Sequence, residues 1–138
     1  MVNDFKTPQE SFWAGEFGED YIERNDGDQL LAANLNFFNN ALKMAIKPTS
    51  MVEFGANIGM NLKAMKLLFP EIQIKAIEIN KKAHAQLSQV IGSANAINCS
   101  IFRFLFIDSP HLELKLYPAI VITGTPIHIA SNDVVTPL

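Results

Sequence analysis

Cysteine is almost absent: Cys99 stands alone in 138 residues, so no internal disulfide can form. Basic residues are outnumbered, 11 Lys and Arg against 14 Asp and Glu, and a formal net charge of -3 leaves no positive footprint for wrapping nucleic acid. No apolar run reaches the roughly 20 residues that a membrane-spanning helix needs. Near the amino terminus, Asp4, Lys6 and Glu10 stand where a secretory leader would require an unbroken apolar segment. No Gly-Lys-Ser/Thr follows a glycine turn, which excludes a P-loop, and no group of His, Cys and carboxylates has metal-ligand spacing. These absences favour a cytoplasmic protein that engages neither nucleic acid nor membrane.

What is present is patterned. Residues Leu31, Leu35, Phe38, Leu42 and Ala45 recur at helical steps between Gly27 and Pro48, one apolar stripe of an amphipathic helix. Met51 to Phe54 reads as a short buried strand, and Asn61 to Phe69 as a helix stopped by Pro70. Residues 72 to 79, IQIKAIEI, read as a second strand; Asn80 is placed to cap the helix KKAHAQLSQVI, which Gly92 closes. A third strand fits Ala96 to Phe102 and a fourth fits Pro118 to Thr123. Alternating strands and helices predict an α/β fold, Rossmann-like and doubly wound around a mostly parallel sheet of order 3-2-1-4. The expected organisation is one domain over 1–138, helical over 1–47 and an αβ core over 48–138.

The stretch VEFGANIGMNL, residues 52 to 62, runs a strand through two glycines into helix-forming residues. Gly55 and Gly59 would put bare backbone at the carboxyl edge of the sheet, where a ligand meets a helix amino terminus. Asn57, which tolerates positive φ better than most residues, stands between them where another glycine would be expected. Glu78 ends the second strand 78 - 55 = 23 residues beyond the first glycine, close to the roughly 20 expected of a carboxylate that accepts hydrogen bonds from ribose hydroxyls. Turn and carboxylate together point to a nucleoside-containing ligand. A dinucleotide-binding G-x-G-x-x-G is not supplied by Gly55-Ala56-Asn57-Ile58-Gly59-Met60.

The arrangement Glu53-x-Gly55-x-Asn57-x-Gly59 resembles motif I of class I S-adenosylmethionine-dependent methyltransferases, with Asn57 replacing the middle glycine. The segments FWAGEFGEDYIERND, LLAANLNFF, VEFGANIGMNLKAMKLLFP and AIEIN together resemble a bacterial methyltransferase family associated with pseudaminic acid biosynthesis, from about Phe12 to Phe102. Beyond that the likeness frays: Arg103 stands where the family has an aspartate, and family members continue through more strands, so the expected sheet is incomplete after its fourth strand. The resemblance implies S-adenosyl-L-methionine as cofactor. It implies that Gly55, Asn57 and Gly59 form the loop under its methionine and ribose, that Glu53 orients that loop, and that Glu78 holds both ribose hydroxyls. It places Ile79 on the adenine face and Ser100 and Ile101 at the adenine edge. The aromatics Phe12, Trp13, Phe17 and Tyr21 would form a lid or a helical patch on the sheet, with Tyr21 and Arg24 near the methionine carboxylate.

The function this implies is methyl transfer to a small, sugar-related molecule. Two alternatives stay open: a cofactor-binding but catalytically incomplete domain, and a nucleotide-sugar or dinucleotide enzyme. His128 is a candidate substrate contact; no catalytic residue and no metal ligand is identified. An open edge at the fourth strand, AIVIT, and the apolar run IFRFLFI over 101–107 predict a homo-oligomer, a dimer, that covers one or both of them. Replacing Glu78 with alanine is expected to weaken cofactor binding at little expense of stability.

Overall fold

In the computed structural model, residues 7–24, 27–101 and 103 are described, together with the backbone of 119–123, 127–131 and 134–137. The elements run α1 (Pro8–Ala14), α2 (Glu16–Arg24), α3 (Asp28–Leu42), β1 (Ser50–Phe54), α4 (Met60–Leu68), β2 (Gln73–Ile77), α5 (Lys81–Ile91), β3 (Ala96–Ile97), β4 (Ala119–Thr123), β5 (Ile127–Ser131) and β6 (Val134–Pro137). No described helix is long and apolar enough to cross a membrane.

The sheet has order β3-β2-β1-β4-β5-β6. β1 lies between two parallel neighbours, Ser50 level with Gln73 of β2 on one side and with Ala119 of β4 on the other. Both edges of β1 are therefore paired, and Met51, Val52 and Phe54 are all buried, as in a central parallel strand packed on both faces. Met51 packs with Phe38 and Leu42 of α3, Leu62 and Met65 of α4, and Leu87 and Ile91 of α5. Val52 and Phe54 face the other way, against Ile77 and the half-buried Ile97 and Cys99. Fully burying side chains of this size stabilises by about 1.5–3 kcal/mol each.

The parallel order 3-2-1-4 is the expected one, but the edge is not. β4 pairs antiparallel with β5, and β5 with β6, so the AIVIT edge is covered within the chain. The sheet continues for two strands past the fourth, and the homodimer expectation loses the open edge on which it rested. The companion segment 101–107 lies mostly outside the described residues. The third strand is also shorter than Ala96 to Phe102. It stops at Ile97 because the Asn98 side chain turns back to donate to the Glu78 carbonyl at 2.8 Å and the Ile79 carbonyl at 3.2 Å. A side-chain amide thereby occupies acceptors that a longer ladder would use.

Candidate functional site

The turn from β1 to α4 is built on alternate left-handed residues: Gly55 at φ 75, Asn57 at φ 50 and Gly59 at φ 83. Asn57 does stand where a glycine's conformation is needed, and asparagine is among the few side chains that accept it. The turn is pinned to the sheet, since the amides of Gly55 and Ala56 both donate to the Ile77 carbonyl, at 2.9 and 3.2 Å. The two glycines serve different ends. A Cβ at Gly55 would enter open space, whereas one at Gly59 would lie 2.8 Å from Leu87 Cδ1. Gly55 thus leaves bare backbone toward a cavity, and Gly59 lets α4 start against α5.

Glu78 sits just past β2 and is 7% exposed. Its Oε2 accepts the Asn57 amide and its Oε1 the Asn80 amide, both at 2.7 Å. Burial pushes the carboxyl above its usual range, while the amides of Asn80, Asn57 and Ile79 pull it back by favouring the ionised form. Glu53 lies deeper, at 3% exposure. Its Oε1 accepts from Asn61 Nδ2 at 2.7 Å, and its Oε2 has no partner among the described residues. Burial pushes this carboxyl up to about 8, against the Asn61 hydrogen bond and with a further rise from the Glu78 charge.

The opposite wall comes from α1 and α2. Thr7 caps α1 in a reciprocal box with Glu10: Thr7 Oγ1 accepts the Glu10 amide, and Glu10 Oε2 accepts the Thr7 amide at 2.8 Å. Phe12 and Phe17 stack at 4.1 Å, and Trp13 stands edge-on to Phe17 and to Tyr21 at 5.3 and 5.4 Å. The Arg24 guanidinium lies over the Phe17 ring at 5.5 Å, and its Nε donates to the Asp20 carbonyl at 3.4 Å.

Between these walls lies a cleft of about 570 Å³ at the carboxyl edge of β1, β2 and β3. Of the residues singled out from the sequence, it gathers Trp13, Tyr21, Gly55, Asn57, Glu78, Ile79, Ser100 and Ile101. Glu53, Gly59 and Arg24 do not line it: Glu53 is behind the turn, Gly59 packs on α5, and Arg24 is spent on α2. The His128 backbone pairs with Val121 inside the β4–β5 ladder, but its side chain lies outside the described residues. Thr7, Gln9, Glu10 and Gly18 also line the cleft and carried no signal of their own in the sequence. Asn80, legible only as a cap, belongs there too.

Neither a family model nor a curated protein matches the chain. Among solved structures, the plantazolicin methyltransferase BamL, in complex with a triazolic desmethylPZN analog and SAH, is 15% identical over 70% of this chain and 39% of its own, at TM-score 0.50. The plantazolicin methyltransferase BpumL in complex with SAH is 19% identical over 75% of this chain and 41% of its own, at TM-score 0.49. YjhP from E. coli is 15% identical over 61% of this chain and 35% of its own, at TM-score 0.44. The chain spans about two fifths of the length of the plantazolicin methyltransferases it matches. The BamL likeness shows the fold alone, a Rossmann-like doubly wound α/β sheet.

Proposed function

We propose that this chain binds S-adenosyl-L-methionine and serves as a methyltransferase toward a small molecule. One observation carries the reading: the Asn57 amide donates to Glu78, so the glycine-bearing turn after β1 and the carboxylate after β2 form one wall of one cleft. That is the place where open α/β sheets take nucleoside ligands.

The residues present fit such a cofactor. Gly55 offers backbone with no side chain in the way, and the Glu78 carboxylate is fixed in position by two amides with acceptor capacity left for hydroxyl donors. Ile79 and Ile101 supply apolar walls suited to a purine, and Ser100 a polar group at their edge. When bound, the cofactor supplies an activated methyl on its sulfonium. The chain's own work is to hold it, align an acceptor and keep water out, and Trp13 and Tyr21 on the far wall are placed for the last of these. A sugar-related acceptor and a bacterial source follow from the sequence resemblance alone, and the cytoplasm from the lone cysteine and the charged amino terminus. The one-domain organisation, 1–47 leading into 48–138, is part of the same proposal.

Calorimetry with S-adenosylhomocysteine, NAD and a nucleotide sugar tests the reading. Selective binding of S-adenosylhomocysteine is expected. Preference for either of the others overturns it.

A further inference from the structure

One wall of the cleft is not part of the αβ core. Thr7, Glu10, Trp13, Gly18 and Tyr21 come from α1, its cap and α2, and this segment is tied to the core at a few places among the described residues. Ile22 packs with Ile58 and Ala83. The Lys82–Glu19 ion pair at 3.1 Å is half exposed and contributes little. Among the described residues, one further side chain reaches across to this segment. Asn80 is 2% exposed, and its Nδ2 donates to the carbonyls of Trp13, Ala14 and Gly15 at 3.3, 3.4 and 3.3 Å.

The Trp13 and Ala14 carbonyls end α1, where the last acceptors of a helix have no partner within it, while the Gly15 carbonyl also takes the Glu19 amide of α2 at 3.2 Å. Two N–H groups serve three oxygens, so at least one of these bonds is shared. The other end of the same side chain is equally committed. Asn80 Oδ1 accepts the amides of Lys82 and Ala83 at 3.0 Å, capping α5, and the Asn80 amide itself donates to Glu78. Gly18 is bare where α2 passes this point: a Cβ there would run into the Trp13 carbonyl and lie 2.9 Å from Asn80 Nδ2.

We infer that Asn80 is a positioning residue that latches α1 and α2 onto the cleft and couples that wall to the cofactor turn through Glu78 and Asn57. A continuous line of hydrogen bonds runs from the Asn57 amide to the Glu78 carboxylate, to Asn80, and to the carboxyl end of α1. Order at the turn and closure of the far wall are one event. The ligand arm of this inference rests on the cofactor reading above; the latch itself does not.

The chain has a single tryptophan, Trp13, at 36% exposure on the latched helix, so its emission reports the wall directly. Asn80→Asp keeps an oxygen to cap α5, since Asn and Asp cap equally well, but removes the donor and sets charge against three carbonyls. Asn80→Ser caps through its hydroxyl and is too short to reach α1, which separates a lost donor from an added charge. Both variants are expected to retain the circular dichroism of the core, shift Trp13 emission to the red and raise its quenching by acrylamide without any ligand. Both are expected to bind S-adenosylhomocysteine about tenfold more weakly, the factor expected if the wall is docked a tenth of the time. Gly18→Ala, which wedges the same junction from the other side, is expected to shift Trp13 emission the same way. Wild-type emission and quenching in Asn80→Ser overturns the latch, whatever the ligand does. Failure of S-adenosylhomocysteine to bind the wild-type chain overturns the cofactor reading instead and leaves the tryptophan measurements to decide the latch.

Discussion

The Asn57 amide donates to Glu78 Oε2 at 2.7 Å across 21 residues of chain. One carboxylate oxygen thus holds the turn after β1, while the other holds the Asn80 amide after β2. Glu78 is a brace between two strand ends before it meets any ligand.

The expectation that Glu78→Ala leaves stability nearly untouched is therefore corrected. Each backbone amide left without an acceptor costs about 1–3 kcal/mol, so with two amides orphaned the variant should lose roughly 2–6 kcal/mol. Its affinity for S-adenosylhomocysteine should fall at least about tenfold, since charge-assisted bonds to hydroxyls are lost as well. Glu78→Gln, which keeps one acceptor oxygen, should fall between. Thermal melts and calorimetry on the two variants check both effects; a variant that binds as the wild type does while melting lower leaves only the brace.

Glu53 makes stability depend on pH. Its carboxyl titrates near 4.5 when unfolded and is pushed up to about 8 in the fold. Between these values the folded chain keeps a proton that the unfolded chain has lost, so stability is fully present below 4.5 and declines as pH rises toward 8. The whole decline is on the order of a few kcal/mol. Melting temperatures across this window should fall in the wild type and flatten in Glu53→Gln, whose side chain does not titrate.

Gly55→Ala and Gly59→Ala should fail in different ways. Both force a side chain into left-handed backbone, at about 1–2 kcal/mol. Only Gly59→Ala also meets Leu87, so its melting temperature should drop further while affinity for S-adenosylhomocysteine stays within a few-fold. Gly55→Ala puts a methyl into the cleft and should lose more affinity than stability. A reversed ranking of the two would refute the division of labour between them.

Lys82→Ala removes the exposed ion pair to Glu19. Pairs of this kind contribute about 0–1 kcal/mol, so the Trp13 emission and the melting temperature should hardly move. A large shift in either would transfer the anchoring of α2 from Asn80 to this surface contact.

Much of the fold was legible because β1, α4, β2 and α5 each carry a clean local signal: Pro70 and Gly92 as stops, Asn80 as a cap, period-two isoleucines in β2. Asn57 was legible for the same reason, since its backbone preference is its own. β5 and β6 were missed because a reading built on parallel βαβ units makes no provision for a chain that doubles back beside β4. The second task of Asn80 was hidden as well. Its cap partners are two and three residues away, whereas the α1 carbonyls it serves are 65 to 67 residues earlier, and only the folded chain brings them together. Glu10 shows the same limit, for its capping box is local while its place in the cleft is set by where α1 docks.

The position of β1 between β2 and β4 also orders events in time. β1 meets β2 across 73 - 50 = 23 residues and β4 across 119 - 50 = 69. Closing the longer loop costs roughly 1 kcal/mol more entropy, and on a ribosome the second partner is made last. The central strand therefore spends its early life as an edge, with Met51 and Val52 in a row of unpaired amides open to other chains. Pulsed hydrogen exchange during refolding should protect the β2 side of this strand before the β4 side. Sequence changes that weaken β4 should raise aggregation during synthesis well before they alter the cleft.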